Sequence, residues 1–271
     1  MLFLKRIFYL VLFVFLLVVA FWFKPISSFE HDSPRKLPWT LPNYKQAKIL
    51  TSVLDDGRIK ISIEHLPLLG IKPKMIAWFY QNLPVSTVEI SDHVYSWYHI
   101  FHPSEHGVVT VKEQANDGRV GMGVGALIYR QEWFGSYNSK GTGRIIEFSE
   151  KGMIAKPELL GMHFGKIKHS YTQTTFPSTD GEVEELGTQY NIDSIIGSDL
   201  PVIGRMINYY IRNKMFSEAM INEWVRHQVE EVASLQFFLR ELYSTKPQGN
   251  HYKLSLKQLQ KNTVAISKES H

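Results

Sequence analysis

The chain has 271 residues, 44% of them hydrophobic and 21% charged, with a net charge of +4. These values are ordinary for a globular protein, and the basic residues are scattered apart from the C-terminal tail, which argues against nucleic-acid binding. There is no cysteine. Disulfides, thiolate metal sites, iron–sulfur clusters and cysteine nucleophiles are therefore excluded, and any metal must be held by His, Asp or Glu.

Lys5 and Arg6 precede an unbroken apolar run over residues 7–23. As a helix this run is about 25 Å long, at the short end for crossing a bilayer, and Trp22 suits the interface. It exceeds the apolar core of an ordinary cleaved signal peptide. Val18, Val19 and Ala20 form only a passable cleavage site before the bulky Phe21, Trp22 and Phe23. Residues 1–24 are read as an uncleaved single-pass transmembrane helix, the alternative being a signal peptide. Lys5 and Arg6 would keep the N-terminus cytoplasmic and the domain on the non-cytoplasmic side. Residues 25–45, rich in Pro, Ser and charge, read as a linker, residues 46–245 as the domain, and residues 246–271 as a polar, basic tail.

Within the domain, an Asp55-Asp56-Gly57 turn leads into a strand in which Ile59, Ile61 and Ile63 alternate with polar residues. Pro73 fits the first turn of a helix over Lys74–Asn82, with Met75, Trp78 and Phe79 inward. Strand-like runs follow at Tyr95–Phe101, Gly107–Glu113, Val120–Tyr129, Gly143–Phe148, His163–Thr175 and Thr188–Ile195. Gly121, Gly123 and Gly125 alternate without the Gly-Lys-Ser/Thr of a phosphate loop. They read as a strand that another element approaches closely. Ser198 or Asp199 is expected to cap a helix with Pro201 in its first turn, running to about Arg212. Ser217–Tyr243 is expected to form a long amphipathic helix whose apolar stripe is Met220, Trp224, Leu235, Phe238 and Leu242. Strands followed by one long helix predict an α+β, helix-grip (START-like) fold. In it a curved antiparallel sheet holds the C-terminal helix and leaves a cavity between them.

Two constellations carry chemistry. His227 and Glu231 lie on the apolar stripe, one turn apart, where an unpartnered carboxylate would cost several kcal/mol. His-x-x-x-Glu on a helix lets both side chains reach one ion; the alternative is a His–Glu hydrogen bond at the edge of the core. Upstream, His93, His99, His102 and His106 cluster. Clustered imidazoles are the usual material of a metal site without thiolates. In a strand His99 and His102 would face opposite ways, so only one or two of the four would be ligands. The alternative is a His-rich surface turn. Gly-x-Ser-x-Gly, His-Glu-x-x-His and a helix-opening Gly-x-Gly-x-x-Gly are absent. That argues against a serine hydrolase, an ordinary metalloprotease and a dinucleotide fold.

His102-Pro-Ser-Glu-His106, preceded by Trp97-Tyr98, resembles the His-Pro-x-Asp-His segment of the 2,4-diacetylphloroglucinol hydrolase family. Gly70-Ile-Lys-Pro-Lys-Met-Ile-Ala-Trp-Phe79 is similar to that family's Gly-x-Thr-Pro-x-Met-x-x-Trp-Trp stretch, and His227-x-x-x-Glu231 to its C-terminal pair of ligands. The resemblance covers roughly residues 50–240. It implies a zinc-dependent hydrolase that cleaves a carbon–carbon bond, removing an acyl group from a phenolic ring, with Zn²⁺ held by two His and two Glu. His227, Glu231 and His106 carry over as ligands, His102 being the alternative to His106. The fourth ligand is expected to be a Glu from a later strand, Glu132 ahead of Glu147. Tyr98 carries over as a substrate-binding tyrosine, the alternative being a core tyrosine; His169 is a second candidate in the pocket, and either could supply the proton that the ring carbon needs. Glu105 in place of Asp, Lys72 in place of Thr and Phe79 in place of Trp depart from the pattern and bear on the substrate pocket. The implied substrate is a small aromatic ketone. A reading from another class is a non-catalytic helix-grip module that binds a lipid or aromatic ligand.

Overall fold

The computed structural model describes residues 5, 6, 9, 28–159, 161–177, 184–245 and 249–260. The transmembrane helix expected over residues 1–24 lies largely outside the described residues, among which no helix is long and apolar enough to cross a membrane.

The alternation at residues 59–64 forms a strand, as expected. Strand β1 (Lys48–Val53) pairs antiparallel with β2 (Ile59–Glu64), which buries Ile59, Ile61 and Ile63 on one face. β3 (Leu68–Leu69) follows, and then helix α1 (Pro73–Asn82), which opens on Pro73 and buries Ile76, Ala77, Phe79 and Tyr80. Proline is favoured there because the first helical N–H has no intrahelical partner to lose. Two short strands, β4 (Thr87–Ile90) and β5 (His93–Ser96), lead into a single helical turn, α2 (Trp97–Phe101). Here the expected strand over Tyr95–Phe101 is corrected. The Ser96 hydroxyl accepts the His99 N–H and caps a helix that buries Trp97, Tyr98, Ile100 and Phe101.

The remaining strands are β6 (His106–Glu113), β7 (Leu127–Phe134), β8 (Tyr137–Ser149), β9 (Gly152–Leu159), β10 (Met162–His163), β11 (Gly165–Pro177) and β12 (Glu184–Ile196). They join β1 to β3 in a ten-stranded antiparallel sheet along the order β1-β2-β12-β11-β9-β8-β7-β6. Irregular register in the β6–β7 and β8–β9 ladders marks bulges, which bend a sheet. Residues 120–126 are not a strand. The close approach inferred for their glycines is nonetheless real, since a Cβ on Gly121 would lie 1.9 Å from the Gln81 carbonyl oxygen.

The helix expected after Ser198 begins only at α3 (Gly204–Tyr210) and continues as a π turn to Met215. Pro201 does not open it, because Val202 is left-handed at φ 65° and breaks the helical path. Ser217 then caps α4 (Glu218–Ser244), which buries the whole expected stripe and packs on α1, α2, β3 and β7. β13 (His251–Leu254) runs parallel to β4 in a separate three-stranded sheet. The tail is thus part of the fold at least to Leu259, which is fully buried. The segment read as a linker is likewise held. Arg35 donates to the His106 carbonyl at 2.8 Å, and buried Trp39 stacks on Phe237 at 5.9 Å.

Trp39 therefore acts as the clasp of a strap over α4. Truncation to Ala should cost about 3–5 kcal/mol of unfolding free energy. It should also open residues 29–43 to limited proteolysis before the domain unfolds, which denaturant melts and mapped cleavage sites would measure.

Candidate metal centre

Strand register and helix period bring the site together. His106 opens β6 and lies directly opposite Glu132 of β7, so the two side chains share the inner face. His227 and Glu231 are one turn apart on α4, which crosses that face. All four are buried. His106 Nε2 is 3.1 Å from His227 Nε2, 3.2 Å from Glu231 Oε2 and 3.9 Å from Glu132 Oε2, and His227 Nε2 is 3.7 Å from Glu231 Oε2. Of the expected fourth ligands, Glu132 is at the site, whereas Glu147 is exposed.

The protons on the two imidazoles are fixed from outside. His106 Nδ1–H donates to the Tyr98 carbonyl at 2.6 Å, and an amide carbonyl only accepts. His227 Nδ1–H donates to Glu105 Oε2 at 2.8 Å. Burial, followed by the neighbouring His102, holds both rings well below the usual imidazole pKa, so both are neutral. Each Nε2 therefore presents a lone pair, and the two lone pairs face each other beside two carboxylates. Burial lifts the Glu231 carboxyl to about 8. Without a cation, one added proton on Glu231 would be the cheapest relief of this crowd of acceptors.

The donor set fits a divalent ion. Two imidazole nitrogens and two carboxylate oxygens neutralise a charge of +2. Ligands at the usual 2.0–2.1 Å from tetrahedral zinc lie roughly 3.3 Å apart, close to the separations present here. Among the described residues, His106, His227 and Glu231 form one of two groups whose ligand atoms lie close enough to share an ion; Glu132 is outside that group, 3.9 Å from His106, and would have to move in to complete the set. The second, His102, Glu105 and His227, has its valences already used. His102 Nδ1 accepts the Glu105 N–H at 3.2 Å, which leaves Nε2–H to donate to Glu230 at 3.2 Å. Glu105 accepts from His227, from the Gly135 N–H at 2.8 Å and from Arg226. His102 therefore supports the site, stacked on His227 at 4.3 Å, and His106 is the residue at its centre. His99 donates to the Gly107 carbonyl, and His93 is exposed.

Tyr98 lies at the site. Its ring stacks on His106 at 3.7 Å, and its hydroxyl, held protonated by burial, donates to Glu132 Oε2 at 2.5 Å. Arg130 pairs with the other oxygen of Glu132, and its charge reaches His106, His227 and Glu231. His169 stands apart from the four. Its Nδ1 is 2.7 Å from the Tyr190 hydroxyl, which is 2.6 Å from that of Tyr80. His65 abuts Tyr190 edge-on at 5.0 Å, and neither of its ring nitrogens has a hydrogen-bond partner among the described residues. The charge of Glu231 is felt at both Tyr80 and Tyr190, so this histidine–tyrosine cluster adjoins the quartet. A cleft of about 910 Å³ opens between Lys72, β9 and β11; His169 and Tyr171 line it, and none of the four expected ligands does.

Sequence reasoning missed Glu105, Arg130, His65, Tyr80 and Tyr190. Glu105 had a visible signal, a carboxylate adjoining a candidate ligand in His-Pro-Ser-Glu-His. Arg130 sits two residues before Glu132, on the same face of its strand. The other three come from three separate elements.

No family model and no curated protein matches the chain. Among solved structures, a START superfamily protein from Mycobacterium smegmatis is similar at a TM-score of 0.31 and 13% identity, covering 65% of this chain and 98% of that one.

Burial lowers His65 and His169 from 6.5 to about 3. The unfolded chain then binds more protons than the folded one between these values, so stability is undiminished above pH 6.5 and falls as pH drops toward 3. Each histidine contributes a slope of up to about 1.4 kcal/mol per pH unit. His65→Phe should flatten the decline of unfolding free energy measured between pH 6.5 and 4.

Proposed function

We propose that the protein is a zinc-dependent hydrolase that cleaves the bond between an aromatic ring and an acyl carbon in an acylated phenolic, phloroglucinol-like or related polyketide substrate. One observation carries this reading: three buried acceptors, on His106, His227 and Glu231, converge with both imidazole protons directed outward, and Glu132 stands 3.9 Å from His106. The resemblance of residues 70–79, 97–106 and 227–231 to the diacetylphloroglucinol hydrolase motifs supports the choice of reaction.

His106, Glu132, His227 and Glu231 would hold the ion, which when bound supplies Lewis acidity toward the ketone oxygen. Glu231, whose proton affinity is raised by burial, is placed to take a proton from water as the water oxygen bonds to the acyl carbon. The ring–acyl bond breaks, its electron pair stays on the ring carbon, and that carbon must gain a proton. Tyr98 holds a proton at its hydroxyl against Glu132 and is placed to provide it. The products are a carboxylic acid and the deacylated phenol, and the proton that Glu231 took from water returns to the Tyr98 oxygen, so water and protons balance. The neutral His169, Tyr190, Tyr80 and His65 are suited to orient ring hydroxyls, since they offer donors and acceptors without net charge.

The cleft lined by His169 and Tyr171 also favours a second reading, a non-catalytic module that binds an aromatic or lipid ligand. Metal analysis separates the two. The hydrolase is expected to contain about one zinc per chain and to release acid from an acylphloroglucinol, and His227→Ala should lose both. Metal-free protein that still binds the phenol would favour the carrier. In a second test, Glu105→Gln removes the carboxylate that orients His227. It should weaken zinc binding by about 10–100-fold in a chelator competition while leaving the fold intact by circular dichroism.

A further inference from the structure

The stretch before α4 has an apolar outer face. Leu200, Val202, Ile203, Met206, Tyr209 and Met215 are all exposed, Val202 at 91% and Met206 at 67%. Six of the large exposed apolar side chains thus fall within sixteen residues. The segment is not loose. Asn208, 1% exposed, accepts the Ser198 N–H at 2.7 Å and donates to the carbonyls of Asp56 and Ser198 at 2.9 and 3.0 Å. Gly204 and Ile211 are buried beneath. Ile203, Met206 and Tyr209 recur every third residue on the opposite, outward side. Val202 is a β-branched residue in the left-handed region, a strained placement that sets its side chain in solvent. Between Leu200 and Phe216 the charged residues are Arg205, Arg212 and Lys214, with no acid among them.

The patch lies at the end of the domain where the N-terminal chain arrives. Phe29 and His31 pack on Trp133, His31 stacked at 4.7 Å. Gly135, two residues on, lies against Glu223 in the second turn of α4, close after the patch; a Cβ on Gly135 would be 3.1 Å from the Glu223 carboxylate. From Phe23, the last residue of the apolar run, to Phe29 is six residues, a reach of at most about 20 Å. The tether depends on residues 7–23 being the expected membrane anchor; so anchored, this end of the domain would stay near the membrane surface.

We infer that the 200–215 face is a membrane-docking surface that inserts its apolar side chains into the headgroup region of a bilayer and pairs Arg205 and Lys214 with acidic lipids. Tyrosine and aliphatic residues beside cations are the composition that partitions there. Tethering makes even weak docking effective, because the second contact becomes intramolecular. Docking would also hold the N-terminal end of α4, which carries His227 and Glu231, at a fixed distance from the bilayer.

The absence of cysteine allows a clean test on the full chain. A fluorophore is attached to Met206→Cys or Val202→Cys, and the protein is reconstituted into phosphatidylcholine–phosphatidylserine vesicles whose acyl chains carry a quencher. Val94→Cys, exposed on β5 beside the sheet that follows the far end of α4, is the control. Labels at 202 and 206 should be quenched several-fold more than the label at 94. The combined Arg205→Glu and Lys214→Glu changes should weaken quenching, each cation being worth about fivefold in partitioning. Equal quenching at 206 and 94 would overturn the inference. So would protection of position 206 that persists in detergent without lipid, since a second copy or the N-terminal segment of the chain itself would then cover the face.

Discussion

Two imidazole nitrogens, each stripped of its proton by a bond made on the far side of its ring, face one another 3.1 Å apart in a dry interior. The Glu231 and Glu132 carboxyls lie beside them, Glu132 already holding the Tyr98 hydroxyl and Arg130. Buried acceptors without donors are among the costliest arrangements in a protein. The surrounding structure is organised to keep this one in place. Tyr98 presents its carbonyl to His106 from a helical turn that Ser96 caps. Glu105 presents its carboxylate to His227 and is itself gripped by Arg226 and the Gly135 amide. A fold that only needed a filled core would have put aliphatic residues there, as α4 does at Val232 and Leu235.

The scaffold serves this arrangement in a specific way. Antiparallel register makes His106 and Glu132 neighbours, although 26 residues separate them in the chain. The long helix contributes its pair at the same level because α1, α2 and the Trp39 strap fix its position against the sheet. Beyond the quartet, the inner face changes character. His65, Tyr80, His169 and Tyr190 are kept neutral by burial, and His169 also faces the outer cleft. A charged group would find little compensation in such surroundings, whereas a phenol could exchange hydrogen bonds with them.

Much of this was legible before any coordinates. The three-and-four spacing of Met220, Trp224, Leu235, Phe238 and Leu242 defined the long helix, because a buried helix face must repeat at that period. His227 and Glu231 stood out as polar residues on that face. Glu132 was chosen by chain order alone, and its partnership with His106 follows from a β6–β7 register that local sequence does not encode. Tyr95–Phe101 looked like a strand because aromatic and β-branched residues favour strands, and the Ser96 cap overrode that preference. Glu105 was read as a variation in a motif; its role depends on α4, more than a hundred residues away. The histidine–tyrosine cluster was invisible for the same reason, since non-local pairing brings its members together. Val202 hid the true start of α3, since a left-handed valine is not anticipated from its sequence context.

The central claim is that a metal ion, and not a shared proton, holds His106 and His227 together. The most direct test is anomalous diffraction on crystals of the zinc-supplied protein, with data on both sides of the zinc absorption edge. The account predicts one strong zinc peak within bonding distance of His106 Nε2, His227 Nε2 and Glu231, with Glu132 as the fourth neighbour. A map without that peak, with the two imidazoles still 3.1 Å apart and sharing a proton, would contradict it.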